Sequence, residues 1–296
     1  MKKKLLIVFC LLSVKLIICG AVLACVGARP LAMGASFTGV ADDIHAVYWN
    51  PAGLVQLEAT ELTWTRTLNN RDLFNYDDFL AIAACNKELG LAYAVGYINV
   101  ADYYPIGYLE DLTLVYQDEK IRWLILSLAK SFNDQLSIGG NIRHMTHGLR
   151  YEAASYQPIS DSASFFAIDL SVFYKATEDL RLGLLIQDFN RPEFSFFNNE
   201  LRYYCIRNVR PGISYKITDS LLVTASIYDL LDEAGMPERF RLGIEQQIDN
   251  IFIRVGSDRG NKTFGLGVKM PCYELDYALL GDDLGDTHML GLTYRF

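Results

Sequence analysis

Ile251-Phe252-Ile253-Arg254-Val255-Gly256-Ser257-Asp258, a polar break, then Thr263-Phe264-Gly265-Leu266-Gly267-Val268-Lys269-Met270 and a stop at Pro271: this stretch decides the fold. In its first half Ile251, Ile253 and Val255 share one side, against Phe252, Arg254 and Asp258. In its second half Phe264, Leu266, Val268 and Met270 oppose Thr263, Gly265, Gly267 and Lys269. Successive side chains of a strand point to opposite faces, so both halves read as strands with one apolar face.

The same rhythm runs outward from there. Over 165–174, Phe166, Ile168, Leu170, Val172 and Tyr174 face away from Asp169 and Ser171. Over 240–248, Leu242, Ile244 and Ile248 oppose Arg241, Glu245 and Gln247. Very short polar turns, such as Asn86-Lys87-Glu88, Phe132-Asn133-Asp134, Thr177-Glu178-Asp179, Thr218-Asp219-Ser220 and Asp249-Asn250, alternate with longer loops near 69–77, 99–120, 149–163, 190–205, 230–238, 258–262 and 280–286. The segments between them bracket the roughly 9–11 residues that a tilted strand needs to cross a bilayer. Fourteen are expected, near 60–69, 78–86, 89–98, 121–131, 135–148, 164–176, 180–189, 206–217, 221–229, 239–248, 251–257, 263–270, 272–279 and 287–296. Tight turns on one side, longer loops on the other and an even strand count are the marks of an all-β, antiparallel transmembrane barrel of about 14 strands. A soluble β-sandwich explains the alternation but not this asymmetry. Tyr93, Tyr97, Tyr174, Tyr215, Tyr228, Tyr273 and Tyr294 are expected in interfacial girdles.

The two ends of the chain agree with a membrane in the envelope. Lys2, Lys3 and Lys4 precede an apolar run to Ala24, which reads as a signal peptide over 1–24. Lys15 inside that run argues against a retained membrane helix. Val22-Leu23-Ala24 suits a small-residue cleavage site, and Val22-Leu23-Ala24-Cys25 is also a loose lipidation motif. Removing 1–24 leaves 23 basic against 35 acidic residues, a charge of −12 that offers nothing to nucleic acid. At the other end Leu290, Leu292, Tyr294 and Phe296 alternate to a terminal aromatic. An aromatic terminus on such a strand resembles the signal read by the bacterial barrel-insertion machinery, with Tyr294 and Phe296 as its carriers. An outer-membrane location and contact with outer-membrane lipid follow.

Residues 27–55 do not alternate. Gly27-Ala28-Arg29-Pro30-Leu31-Ala32-Met33-Gly34 leads through Phe37-Thr38-Gly39-Val40-Ala41-Asp42-Asp43 to Ala46-Val47-Tyr48-Trp49-Asn50-Pro51-Ala52-Gly53-Leu54. This block resembles the N-terminal signature of the PorV/PorQ family of outer-membrane proteins, relatives of the FadL-type transporters of hydrophobic compounds. The C-terminal Leu284-Gly285-Asp286-Thr287-His288 and the final strand look like that family too. The resemblance implies a 14-stranded barrel with a plug or hatch in its lumen, here residues 25–58, ahead of a barrel over 59–296. It places Gly34, Asp42, Asp43, Trp49, Asn50, Pro51, Ala52 and Gly53 in that hatch, Asn50-Pro51-Ala52 matching its asparagine-proline-alanine element. Pro51 fixes its own φ and keeps Asn50 out of the helical region, and Asn50 suits a tight turn. Asn50, Asp42 and Asp43 are expected to meet polar lumen residues, arginines among them.

The polar strand faces put Arg143, Asp169, Arg181, Arg210, Arg241, Glu245, Arg254, Lys269, Glu274 and Asp276 in the lumen, where opposed charges suit internal pairing around a plug. His144 and His147 lie three apart on a strand and therefore face opposite sides; no metal and no cofactor is expected. Asp282, Asp283 and Asp286 read as solvated loop charge, and the six cysteines lack any CxxC spacing. No GxSxG, HExxH, P-loop or dinucleotide fingerprint occurs, so the chain does not read as an enzyme. Two functions stay open: passive transport of small hydrophobic compounds through a plugged barrel, or a docking or shuttle role for secreted proteins. A purely structural barrel is the third.

Overall fold

The computed structural model describes residues 26–69, 76–109, 111–154, 156–235, 237–281 and 285–296. The expected signal over 1–24, Cys25 and the Asp282-Asp283 pair lie outside the described residues. Fourteen antiparallel strands close into one barrel. They are β1 (Glu61–Asn69), β2 (Tyr76–Asn86), β3 (Leu91–Tyr108), β4 (Leu114–Ser131), β5 (Leu136–Ala153), β6 (Ile159–Lys175), β7 (Leu180–Gln187), β10 (Asn208–Thr218), β11 (Leu221–Ile227), β12 (Phe240–Ile248), β13 (Ile251–Asp258), β14 (Asn261–Lys269), β15 (Tyr273–Gly281) and β16 (Thr287–Arg295), which pairs back to β1. β8 (Glu193–Phe196) and β9 (Leu201–Tyr204) form a separate hairpin. Ahead of β1 come α1 (Ala28–Ala32), α2 (Ala46–Trp49) and a 3-10 turn over Pro51–Gln56. No helix among the described residues is long and apolar enough to cross a membrane.

The short turns and the C-terminus define a near end; the longer connections define a far end. The alternating apolar residues point outward. Leu242, Ile244, Ile253, Val255, Leu266 and Phe166 are exposed, while Arg241, Arg254, Asp169 and Thr263 are buried. Closure satisfies every ladder without leaving an edge at bilayer height, the condition for crossing lipid with strands.

Cross-strand register shows where the apolar band stops. Trp64, Leu80, Tyr97, Leu124, His144 and Phe166 stand opposite one another across β1–β6. The next outward row toward the far end is Arg66, Asp78, Asn99, Arg122, Thr146 and Ser164. Beyond that row β3–β6 continue for between five (β6) and nine (β3) residues, roughly 17–30 Å of strand. β7 pairs with β6 only over Leu170–Lys175, so the far rim is tall on the β3–β6 side and low elsewhere.

Four expectations need correction. Much of 99–120 and 149–163 is strand, not loop. Above the lipid both sheet faces can be polar, so the hydrophobic alternation fades where the strand does not. The break at 258–262 is a two-residue turn, Arg259-Gly260, with φ of 50° and 92°; paired positive φ is what a tight hairpin turn needs, and Gly260 supplies it freely. The loop over 190–205 contains the β8–β9 hairpin, whose Phe194 stacks on Phe165 with ring centres 4.4 Å apart. Tyr228 leaves the girdle for the interior, buried among the guanidinium groups of Arg210, Arg241 and Arg259.

Candidate functional site

Residues 26–57 lie against the inner face of the barrel, and almost all are buried. The wall is shaped to receive them. A Cβ added at Gly139, Gly183, Gly212, Gly243, Gly256 or Gly265 would sit under 3.0 Å from this segment. At Gly139 the obstacle is Ala52 N at 2.6 Å, and at Gly212 it is Gly39 N at 2.7 Å. Between the glycines, small polar wall residues bond the segment's backbone. Ser171 Oγ accepts from Ala52 N (2.9 Å), and Ser137 Oγ donates to Ala52 O (2.8 Å). Asn141 Nδ2 donates to Val47 O (3.0 Å), Ser214 Oγ to Gly39 O (2.7 Å) and Thr263 Oγ1 to Ala32 O (2.9 Å). Thr263 Oγ1 also accepts from Gly34 N at 3.0 Å. A buried irregular segment must find partners for its N–H and C=O groups, and the wall supplies them.

Charge is concentrated toward the near end. Arg29 holds Glu245 in a two-pronged contact (2.7 and 2.8 Å), and also meets Asp42 (2.6 Å) and Asp43 (2.9 Å). Arg254 bridges Glu245 (2.6 Å) and Asp276 (2.5 Å) and reaches Glu274 at 3.5 Å. Arg295 bridges Glu61 and Glu274, both at 2.7 Å, and Glu61 accepts the Ile44 N–H at 2.9 Å. Arg29 thus joins the segment to the barrel through one guanidinium fork. His45 Nδ1 lies 2.9 Å from Asp43. Burial alone would raise Asp43, but His45 and Arg29 outweigh it and hold its carboxyl far below the usual range. Burial alone would lower His45; Asp43 overrides this and lifts it above the ordinary histidine value. A cavity of about 340 Å³ opens beside this network, lined by Asp42, Glu58, Lys216, Phe252, Lys269 and Arg295 among others.

The β2–β6 side of the interior carries an apolar cluster beside the Arg143–Asp169 and His147–Glu119 pairs. Phe79, Ile98, Ile121, Trp123, Met145 and Phe165 line β2–β6 and share a core with Phe37, Val47, Tyr48 and Trp49 of the segment. Tyr48 stacks on Trp123 at 6.2 Å, and Arg143 lies 4.8 Å over the same indole ring.

Arg143, Asp169, Arg210, Arg241, Glu245, Arg254, Glu274 and Asp276 are all buried on the inner face. Arg143 pairs with Asp169 (2.9 Å) and Asp188 (2.5 Å), Arg241 with Asp258 (2.7 Å), and Arg181 reaches Asp42 at 3.6 Å. Lys269 is exposed at the near-end mouth. Asp42 and Asp43 meet arginines. Asn50 does not: its Nδ2 donates to the carbonyls of Thr38 (2.9 Å) and Val172 (3.1 Å). Asn50 is extended at φ −171°, and Pro51 opens the following turn, closed by Gly53 N to Asn50 O at 2.9 Å. Trp49 Nε1 donates to Val26 O at 2.7 Å. Gly34 has φ of 63° and abuts the β12 and β13 backbone, and Gly53 abuts Ala41. His144 faces outward to Ser164 (2.8 Å) and His147 inward to Glu119 (2.5 Å). Tyr294 packs on Phe296 at 5.4 Å, and Phe296 exchanges backbone bonds with Thr60 (3.1 and 3.2 Å).

Sequence reasoning missed Arg29, Glu61 and the wall glycines. Arg29 was legible as the segment's lone base facing an Asp-Asp pair. The glycines were visible as repeated gaps on polar strand faces, but only a chain lying against them shows why a Cβ is excluded.

No protein-family model matches the sequence, and no curated protein matches it. Solved structures do match by shape. A TodX monoaromatic hydrocarbon channel mutant superposes with a TM-score of 0.67 at 11% identity, covering 91% of this chain and 99% of that one. The Pseudomonas putida toluene transporter TodX gives 0.65 at 11% identity, covering 91% and 98%. A Pseudomonas aeruginosa FadL homologue gives 0.62 at 10% identity, covering 89% and 96%. Identity this low carries the fold and nothing finer: the chain has the fold of the FadL-like outer-membrane channels.

Proposed function

We propose that this chain is an outer-membrane channel that passes small hydrophobic compounds, with residues 26–57 as the plug of its lumen. The observation that carries the reading is a closed fourteen-strand wall whose inner face along β2–β6 carries a cluster of apolar and aromatic side chains packed against its own N-terminal chain. The likeness to a toluene transporter and a monoaromatic hydrocarbon channel supports a solute of that class. The finer reading, membership of the PorV/PorQ family with export through a cleaved signal and entry by the barrel-insertion machinery, rests on the N-terminal signature and the terminal Phe296. Docking of secreted proteins is the alternative that this family membership would bring, and no described surface favours it.

The test is uptake of toluene by cells or vesicles that carry the purified chain, against matched preparations without it. Faster uptake with the chain is the expected result. Asn50→Ala should slow it while the barrel stays folded. Equal uptake with and without the chain would end the transport reading.

A further inference from the structure

Among the described residues the outer face of β1–β6 carries three arginines, and two of them are paired with carboxylates. Arg66 meets Asp78 at 2.8 Å and lies over the rings of Trp64 and Tyr76. Arg150 meets Glu152 at 2.5 Å. Arg122 stands between them, exposed, with no carboxylate among the described residues within the 4.0 Å of an ion pair. Its position is specific. It occupies the first polar row beyond the apolar band, directly opposite Asn99 on β3 and Thr146 on β5. Lys120 follows two residues on along the same face, 3.1 Å from Asp118. Opposite Lys120, already paired, stand Ala101 and Gly148, which leave room beside Arg122. Toward the near end, Leu124, Leu126, Leu128 and Ile142 form the exposed apolar surface on which an acyl chain lies.

We propose that Arg122, with Asn99 and Thr146, binds the phosphate of an anionic lipid in the far-end leaflet. Charge complementarity and height both select this occupant. A guanidinium offers a planar fork of donors that matches a phosphate, and the amide and hydroxyl beside it supply further donors. A lipid phosphate sits at the top of its acyl chains, which is where the polar row meets the apolar rows. Free phosphate would satisfy the same donors but has no use for the leucine surface below, so the lipid is the source. The proposal rests on the membrane reading given above.

The experiment uses the full chain reconstituted in phosphatidylcholine vesicles that carry either phosphatidic acid or diacylglycerol. Retained lipid is counted by native mass spectrometry after mild extraction. The unmodified chain should retain phosphatidic acid and not diacylglycerol. Arg122→Gln should weaken that retention by about tenfold, the effect of losing a charge-assisted hydrogen bond. Arg150→Gln, on the same face but already paired, should leave it unchanged. Inorganic phosphate in excess should not displace the lipid. Equal retention by the chain and Arg122→Gln, or full displacement by inorganic phosphate, would overturn the proposal alone. A chain that never enters the vesicles would remove the membrane reading and the proposal together.

Discussion

Arg29 is the residue on which segment and barrel depend most. Its fork reaches Glu245 on β12 and both aspartates of the segment. Arg29→Ala would take one of two cationic partners from each of three carboxylates, leaving Arg181, His45 and Arg254, so the loss should stay below the roughly 3–5 kcal/mol of a buried charge left with none. The expected outcome is a lower unfolding midpoint in denaturant for the detergent-solubilised barrel. His45 gives a pH dependence of known sign. Its folded pKa lies above the ordinary value, so its contribution is full below about pH 6.5 and is lost as pH rises through the raised value. Stability should therefore fall as pH rises above about 6.5, and His45→Gln should flatten that slope in a denaturation series. The sequence showed the charges but not their partners. Arg29 and Glu245 are 216 positions apart, and only barrel closure makes them neighbours.

At the scale of elements, legibility tracked the solvent. Where a strand faces lipid on one side and the lumen on the other, alternation is enforced and β12–β14 were readable from residue types alone. Where β3–β6 rise above the lipid, Ser160, Ser162 and Ser164 alternate with Asp161 and Ala163, and the pattern resembles a loop. The β8–β9 hairpin was hidden for a different reason. Phe194, Phe196 and Tyr203 gather around Phe165 and His147, contacts set by tertiary packing. Phe194→Ala should free the hairpin while leaving the barrel closed, seen as faster proteolysis near 190–205 with an unchanged heat-modified shift on gels. The final strand was legible in one face only. Met289, on the opposite face from Leu290, is buried against Ala28, Leu31 and Ala32. Deleting Phe296 removes the backbone pair with Thr60 that closes the seam. Assembled protein in fractionated membranes should fall more than for Phe240→Ala, which trims an exposed ring of the same type.

For the whole molecule, the strand number, the lipid face and the sidedness of the turns followed from period and punctuation. The tall rim did not, because nothing in the local pattern separates a strand above the membrane from a loop. Nor did the fit between segment and wall, because it is a property of two surfaces and the sequence displays only one at a time. Gly183→Ala would push a methyl group into Thr38. Overpacking of this kind costs about 1–3 kcal/mol, so the variant should assemble less or unfold earlier in denaturant. Excising 26–57 should yield less closed barrel in place of a wide-open pore, since Glu61, Glu245 and the wall hydroxyls would lose their partners together. The glycine seam also has a consequence for descent. Gly139, Gly183, Gly212, Gly243, Gly256 and Gly265 stay small only while a chain lies against them. Kin that shed the N-terminal segment would be released from that constraint, and ordinary side chains should drift into all six places; kin that keep it should hold the whole set, so the two features would be inherited as one character.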